Sequence, residues 1–209
     1  MRREDGSRTL EVRWIDRGPV PEAMHGWLGP FDDWIERRED RYLAEPSMPE
    51  LGVKIKGGIE LDLKVLRGSL GELEVPGGGR GQIELWEKWR FPLDAVALPP
   101  LDGSGWLAIR KVRRRRSFHV SEGQVTERPV SEAEQPGCAV ELTEFTVTAE
   151  TWWTLALEAG GDAETLEHVL RATAGWLFRD PLPDGLTLDL DDSMSYARWL
   201  GTRYVGRAR

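Results

Sequence analysis

The chain has 209 residues, ten of them Trp, with 40% hydrophobic and 31% charged residues and a formal net charge of −8. That is enough apolar material for a single domain spanning 1–209, and no apolar run approaches the roughly 20 residues a bilayer-spanning helix needs. The lone Cys138 excludes an intrachain disulfide and a cysteine-based zinc cluster.

In chain order, Thr9–Ile15 alternates with the period of a strand, placing Leu10, Val12 and Trp14 on one face and Glu11, Arg13 and Ile15 on the other. Pro21 is placed to open a short helix through about Leu28, which Gly29-Pro30 ends. A second strand is expected over 36–43, followed by a turn at Pro46 and Pro49. Val53–Lys56 and Ile59–Val65 read as a hairpin across Gly57-Gly58. The stretch 68–81, rich in glycine, reads as a loop. Gln82–Phe91 resumes as a strand with Glu84, Trp86, Lys88 and Arg90 on one face. Residues 92–105 read as a loop, and Trp106–Val120 as a long strand. The polar, acidic stretch 121–137 is expected to be a loop. Ala139–Val147 and Thr151–Ala159 form an antiparallel pair. Asp162 is placed to cap a helix in which Leu166, Val169, Leu170, Thr173, Trp176 and Leu177 share one face. Ser195–Leu200 is a short closing segment.

Short connections make these strands antiparallel, and closing about eight of them into a barrel removes exposed edges. The expected fold class is therefore mainly β (α+β): an antiparallel, eight-stranded, tunnel-like barrel with a few helices packed outside.

The polar faces of these strands carry charge. Lys54 and Lys56 alternate with apolar neighbours on one strand, and Glu60, Asp62 and Lys64 on the next. Such a face either meets water or lines a charged interior. In the run 110–116, Lys111, Arg113 and Arg115 share one face while Arg110, Arg114 and Arg116 share the other, so only half of this cluster can point inward. Acidic residues such as Glu60, Asp62, Glu84 and Glu141 could also neutralise inward cations in a ligand-free network. Gly77–Gly81 precedes a strand pattern rather than a helix, which argues against a phosphate loop. His25, His119 and His168 lack metal-like spacing and read as surface residues. Cys138 has no basic neighbour in sequence that would activate it. Trp86, Trp89, Trp152 and Trp153 read as core, adjacent strand tryptophans pointing to opposite faces.

The ordered segments Asp40-Arg41-Tyr42, Leu51–Lys56, Ile59–Lys64, Lys111-Val112-Arg113, Val140-Glu141-Leu142, Leu157-Glu158 and Ser195–Leu200 together resemble the CYTH superfamily, the triphosphate tunnel fold. The resemblance spans roughly residues 9–200. It implies a barrel whose inward cations (Lys54, Lys56, Lys64, Lys88, Lys111, Arg113 and Arg115) grip phosphate oxygens, while Glu11, Glu141 and Glu158 hold Mg²⁺ or Mn²⁺. Cationic side chains match the charge of a polyphosphate and hard divalent cations prefer carboxylate oxygen. Two departures stand out. Where the family carries Glu-x-Glu-x-Lys on its first strand, this chain has Glu11-Val12-Arg13-Trp14-Ile15, and a later Glu-x-Glu is reduced to Ala156-Leu157-Glu158. Arginine cannot ligate a cation.

The expectation is a protein that binds a phosphorylated, polyphosphate-bearing small molecule, with triphosphatase-like hydrolysis if a metal binds. The alternatives are a noncatalytic binding or interaction module and a barrel for a bulkier organic ligand. The net charge argues against general nucleic-acid binding: residues 121–209 hold 7 Lys/Arg against 16 Asp/Glu. The absence of a signal-peptide pattern after Met1 and the single cysteine point to the cytoplasm and away from a membrane. A homodimer is left open.

Overall fold

A computed structural model describes residues 6–29, 35–77, 79–95, 105–130 and 136–204. Pro30, Gly78, residues 96–104 of the expected loop at 92–105 and residues 131–135 of that at 121–137 lie outside these residues. The described strands are β1 (Ser7–Arg17), β2 (Ile35–Leu43), β3 (Leu51–Lys56), β4 (Glu60–Val75), β5 (Gly79–Pro92), β6 (Trp106–Ser121), β7 (Gln124–Arg128), β8 (Gly137–Val147) and β9 (Glu150–Gly160). The helices are α1 (Glu22–Trp27), α2 (Leu166–Leu177) and the short α3 (Tyr196–Trp199).

Neighbouring strands run in the order β2-β3-β4-β5-β1-β9-β8-β6, and β6 pairs back onto β2. The result is a closed, eight-stranded, antiparallel barrel, the architecture the resemblance implied. β7 adds a ninth strand as a hairpin on β6.

Strand alternation gives the wall two unlike faces. Outward from β1, β8 and β9 point Leu10, Val12, Trp14, Val140, Leu142, Leu155 and Leu157, which pack under Leu166, Val169, Leu170, Ala174 and Leu177 of α2 and Met24 of α1. Each fully buried aliphatic side chain here contributes roughly 1.5–3 kcal/mol. This core therefore lies between barrel and helix rather than inside the barrel. That arrangement releases the inward positions for charge.

A second apolar cluster fills one end of the barrel. Ile15, Tyr42, Ile109, Phe145, Val147 and Trp152 meet Trp199 and Leu200 there. Trp199 packs edge-on against Phe145 and Trp152, with ring centroids 5.2 and 5.0 Å away. The Ser195 side chain caps α3, accepting from the Arg198 N–H at 3.3 Å. The Met194 N–H donates to the Arg13 carbonyl at 2.9 Å, tying this segment to β1. Trp152 and Trp153 face opposite clusters, as their adjacency on a strand requires.

Four local expectations are corrected. The 68–81 stretch is mostly strand: β4 and β5 continue to a turn at Pro76-Gly77, with register breaks near Gly68 and Ser69–Glu72. Gly79 and Gly81 belong to β5 because close packing leaves no room for a Cβ. At Gly79 it would press on Val75 and Leu188, and at Gly81 on Trp14 and Val12. The β3–β4 loop has three residues, Gly57, Gly58 and Ile59, with both glycines at positive φ (55° and 76°). Part of the acidic 121–137 stretch is the strand β7, reached through a turn at Glu122-Gly123. Thr165, not Asp162, precedes α2. The Asp162 carbonyl accepts from the Thr165 N–H at 2.9 Å in a turn before the helix.

Candidate functional site

The inward positions enclose a cavity of about 440 Å³. Exposed Arg8, Arg90 and Arg128 lie among its lining residues, and Tyr196 of α3 lines it at the apolar, plugged end. All seven cations expected to grip phosphate line this cavity: Lys54 and Lys56 from β3, Lys64 from β4, Lys88 from β5, and Lys111, Arg113 and Arg115 from β6. Their outward neighbours are engaged elsewhere. Arg110 is 82% exposed and pairs with Glu39 at 3.2 Å, Arg114 meets His25 at 3.2 Å, and Arg116 pairs with Glu127 at 2.6 Å.

Near the plugged end, the Lys111 ammonium donates to the Tyr42 hydroxyl at 2.6 Å and lies 3.8 Å from the Tyr196 ring centroid and 4.6 Å from that of Tyr42. Asp40 stands 3.9 Å away. Burial, followed by the Lys54 charge, holds the Lys111 ammonium well below the ordinary lysine range. Beside it, Arg13 donates to the Thr154 hydroxyl at 3.1 Å and lies over the Tyr196 ring at 4.8 Å. Burial pushes the Tyr196 hydroxyl up to about 12.

Further along the lumen, Asp62 is shared by Lys54 at 3.4 Å, Lys88 at 3.6 Å and Arg90 at 3.9 Å. Burial alone would raise the Asp62 carboxyl; Lys54 and then Lys88 outweigh it and hold the group down to about 2. Burial and the Lys88 charge push Lys54 down to about 8, and burial with Lys64 lowers Lys88. Lys56 is nearer solvent and pairs with Glu60 at 3.5 Å. Arg115 has its Nε buried with no hydrogen-bond partner among the described residues.

The three expected metal ligands lie on neighbouring strands of one wall, and each is engaged by a cation. Glu11 stands opposite Glu158 across the β1–β9 ladder. Lys64 donates to Glu11 and lies 3.9 Å from Glu158. Glu141 accepts from Arg113, which also bonds Glu36, and lies 4.0 Å from Arg13. Burial would raise Glu158, but Lys64 and then Lys88 draw it down to about 2. Arg113 and Arg13 likewise overcome burial and hold Glu141 well below its usual range. Among the described residues, no three His, Cys, Asp or Glu side chains converge as a metal cluster. A divalent cation would have to displace Lys64 or lie beside guanidinium groups that cannot lose their charge, so this donor set does not fit one.

Charge is unbalanced in the lumen. Among the described residues, twelve Lys or Arg and five Asp or Glu line the cavity. Counting Asp40, Glu60 and Glu84 behind the lining and leaving out the exposed Arg8, Arg90 and Arg128 gives nine cations against eight carboxylates, a formal surplus of one.

Several lining residues were not singled out as binding residues in the sequence: Arg13, Arg38, Tyr42, Arg90 and Tyr196. Parity could have found two of them, since Arg13 shares its strand face with Glu11, and Arg90 follows Lys88 by two residues. His119, expected at the surface, lines the cavity and has a buried Nδ1. Cys138 is buried, and burial pushes its thiol up to about 12, so it is no activated nucleophile.

No family model and no curated protein matches this sequence. Among solved structures, the chain is similar to the monoclinic mimivirus capping enzyme triphosphatase, at 16% identity and a TM-score of 0.43, over 83% of this chain and 90% of that one. No described helix is long and apolar enough to cross a membrane.

Proposed function

We propose that the barrel lumen binds a polyphosphate-bearing small molecule, gripped by Lys54, Lys56, Lys64, Lys88, Lys111, Arg113 and Arg115. The observation that carries this reading is the convergence of nine Lys and Arg side chains from β1 to β6 on one cavity, in a chain whose net charge is −8. Buried like charges repel strongly, and apolar residues of similar size would fill the space at less cost. A polyanion offsets that repulsion. Cations from four separate strands suit several linked anionic groups better than a single carboxylate, and guanidinium groups match phosphate oxygens in bidentate geometry.

A noncatalytic interaction module is the second reading, and the network around Asp62 and Glu141 favours it as a self-neutralised interior. The residual surplus and the unpartnered Arg115 Nε favour the ligand. Binding is the conclusion rather than hydrolysis, because the carboxylates that would serve Mg²⁺ or Mn²⁺ are paired with cations of the protein itself.

Thermal unfolding with tripolyphosphate at low salt tests the reading. At about 100 times its dissociation constant, a ligand stabilises by about 2.7 kcal/mol. The Lys54→Ala/Lys56→Ala double variant and Arg115→Ala should each reduce that shift. Absence of any shift removes the proposal, and a triphosphatase assay with Mg²⁺ and Mn²⁺ reports turnover in the same samples.

A further inference from the structure

Taking the lumen as a polyanion site, we infer that it accepts its ligand free of divalent metal, with Arg13 and Lys64 as built-in cations among the carboxylates. Glu11 and Glu158 face each other, and the Lys64 ammonium closes that pair from β4. Glu141 is closed from two sides, by Arg113 and by Arg13. The Arg13 guanidinium is itself fixed, by Thr154 at 3.1 Å and the Tyr196 ring at 4.8 Å. It lines the cavity and its charge is permanent at any working pH. Carboxylates that could attract a divalent ion are therefore already neutralised, and a fixed positive charge stands among them. Arg13 is also well placed to receive a phosphate oxygen through its planar fork.

The inference fixes the sign of a metal effect. In a site assembled around a metal, Mg²⁺ strengthens polyphosphate binding. Here Mg²⁺ complexes tripolyphosphate in solution, lowers the free anion and weakens binding by mass action. Thermal unfolding of the full chain is to be compared with tripolyphosphate in EDTA and with an equal concentration of Mg²⁺ added. The expected result is a clear stabilisation in EDTA that Mg²⁺ cuts by about half or more. Stabilisation only when Mg²⁺ or Mn²⁺ is present overturns the inference and leaves the polyphosphate reading standing. No stabilisation in either buffer overturns both.

A second measurement needs no polyphosphate. Electron paramagnetic resonance of Mn²⁺ titrated with wild-type protein should show the ion remaining free, whereas Arg13→Glu, which exchanges the obstructing charge for a ligand, should retain Mn²⁺ at least about tenfold more tightly. Stoichiometric retention by the wild type overturns the inference, and so does a folded Arg13→Glu variant that gains nothing. If that variant does not fold, the wild-type titration still decides.

Discussion

Glu11 and Glu158 stand directly opposite each other on adjacent strands, two carboxylates on one ladder step, and Lys64 from β4 reaches both. Like charges in this position are destabilising. The lysine is thus part of the barrel's wall as well as of its proposed ligand site, and changing it should be felt in both roles.

Lys64→Met should destabilise the fold by about 3–5 kcal/mol at pH 7, because two carboxylates are left in the lumen without their cation. The deficit should shrink as pH falls below about 4.5, where the released Glu158 takes up a proton. Urea denaturation at pH 7 and pH 4 measures the difference. Equal deficits at the two pH values would show that lost packing, not charge, is responsible.

Acid stability has a definite window. Asp62 and Glu158 are both held at about 2, against ordinary values of 3.8 and 4.5. A depressed carboxyl contributes stability above its ordinary value and loses it as pH falls towards the folded one. Stability should therefore decline between about pH 4.5 and pH 2, by about 2 kcal/mol for Asp62 alone. Asp62→Asn should flatten the lower part of that decline in a thermal unfolding series.

Lysine titration gives a slope of the same sign at alkaline pH. Lys54 is lowered to about 8 from 10.5, and Lys88 and Lys111 are lowered in the same direction. Between about pH 8 and 10.5 the unfolded chain holds more protons than the folded one at Lys54, so this group makes stability rise with pH across that window. A bound polyanion reverses the balance by favouring charged lysine. Tripolyphosphate binding should then take up protons near pH 8 and weaken as pH rises, which calorimetry in buffers of different ionisation enthalpy detects. Proton release on binding would contradict this.

Gly81→Ala should cost about 1–3 kcal/mol by overpacking, since the new methyl would press on Trp14 and Val12, and the Trp14 indole is held by its 2.8 Å hydrogen bond to the Arg80 carbonyl. Guanidinium denaturation measures it. Ala at Gly58, where a Cβ meets nothing within 4 Å but φ is +76°, should lose stability through backbone strain alone.

Gly81 also shows where a single sequence stops being informative. Alternation is a local property, so the inward set on β3, β4 and β6 was legible: Arg113 turns in and Arg114 turns out by parity alone. The glycines at 79 and 81 read as loop because their local preference is weak. At Gly81 the Trp14 indole and Val12 isopropyl group of β1 press on the backbone, and at Gly79 Val75 and Leu188 do so, contacts that local preference does not show. His119 follows Lys111, Arg113 and Arg115 by the same parity and was legible, whereas Tyr196 was not, since it reaches the lumen only because Trp199 and Leu200 anchor α3 in the apolar end. Which carboxylates would be taken by which cations was equally invisible, since Lys64, Glu11 and Glu158 come from three different strands.

On the proposed reading, the seal formed by α3 also dictates how cargo travels. With Tyr196 stopping one mouth, a linear anion cannot thread through the barrel. It must go in head first and back out the way it came, leaving any bulky tail in solvent. Molecules sharing a charged terminus but differing in what trails behind would then be handled alike, and a chain lacking a free end would be turned away.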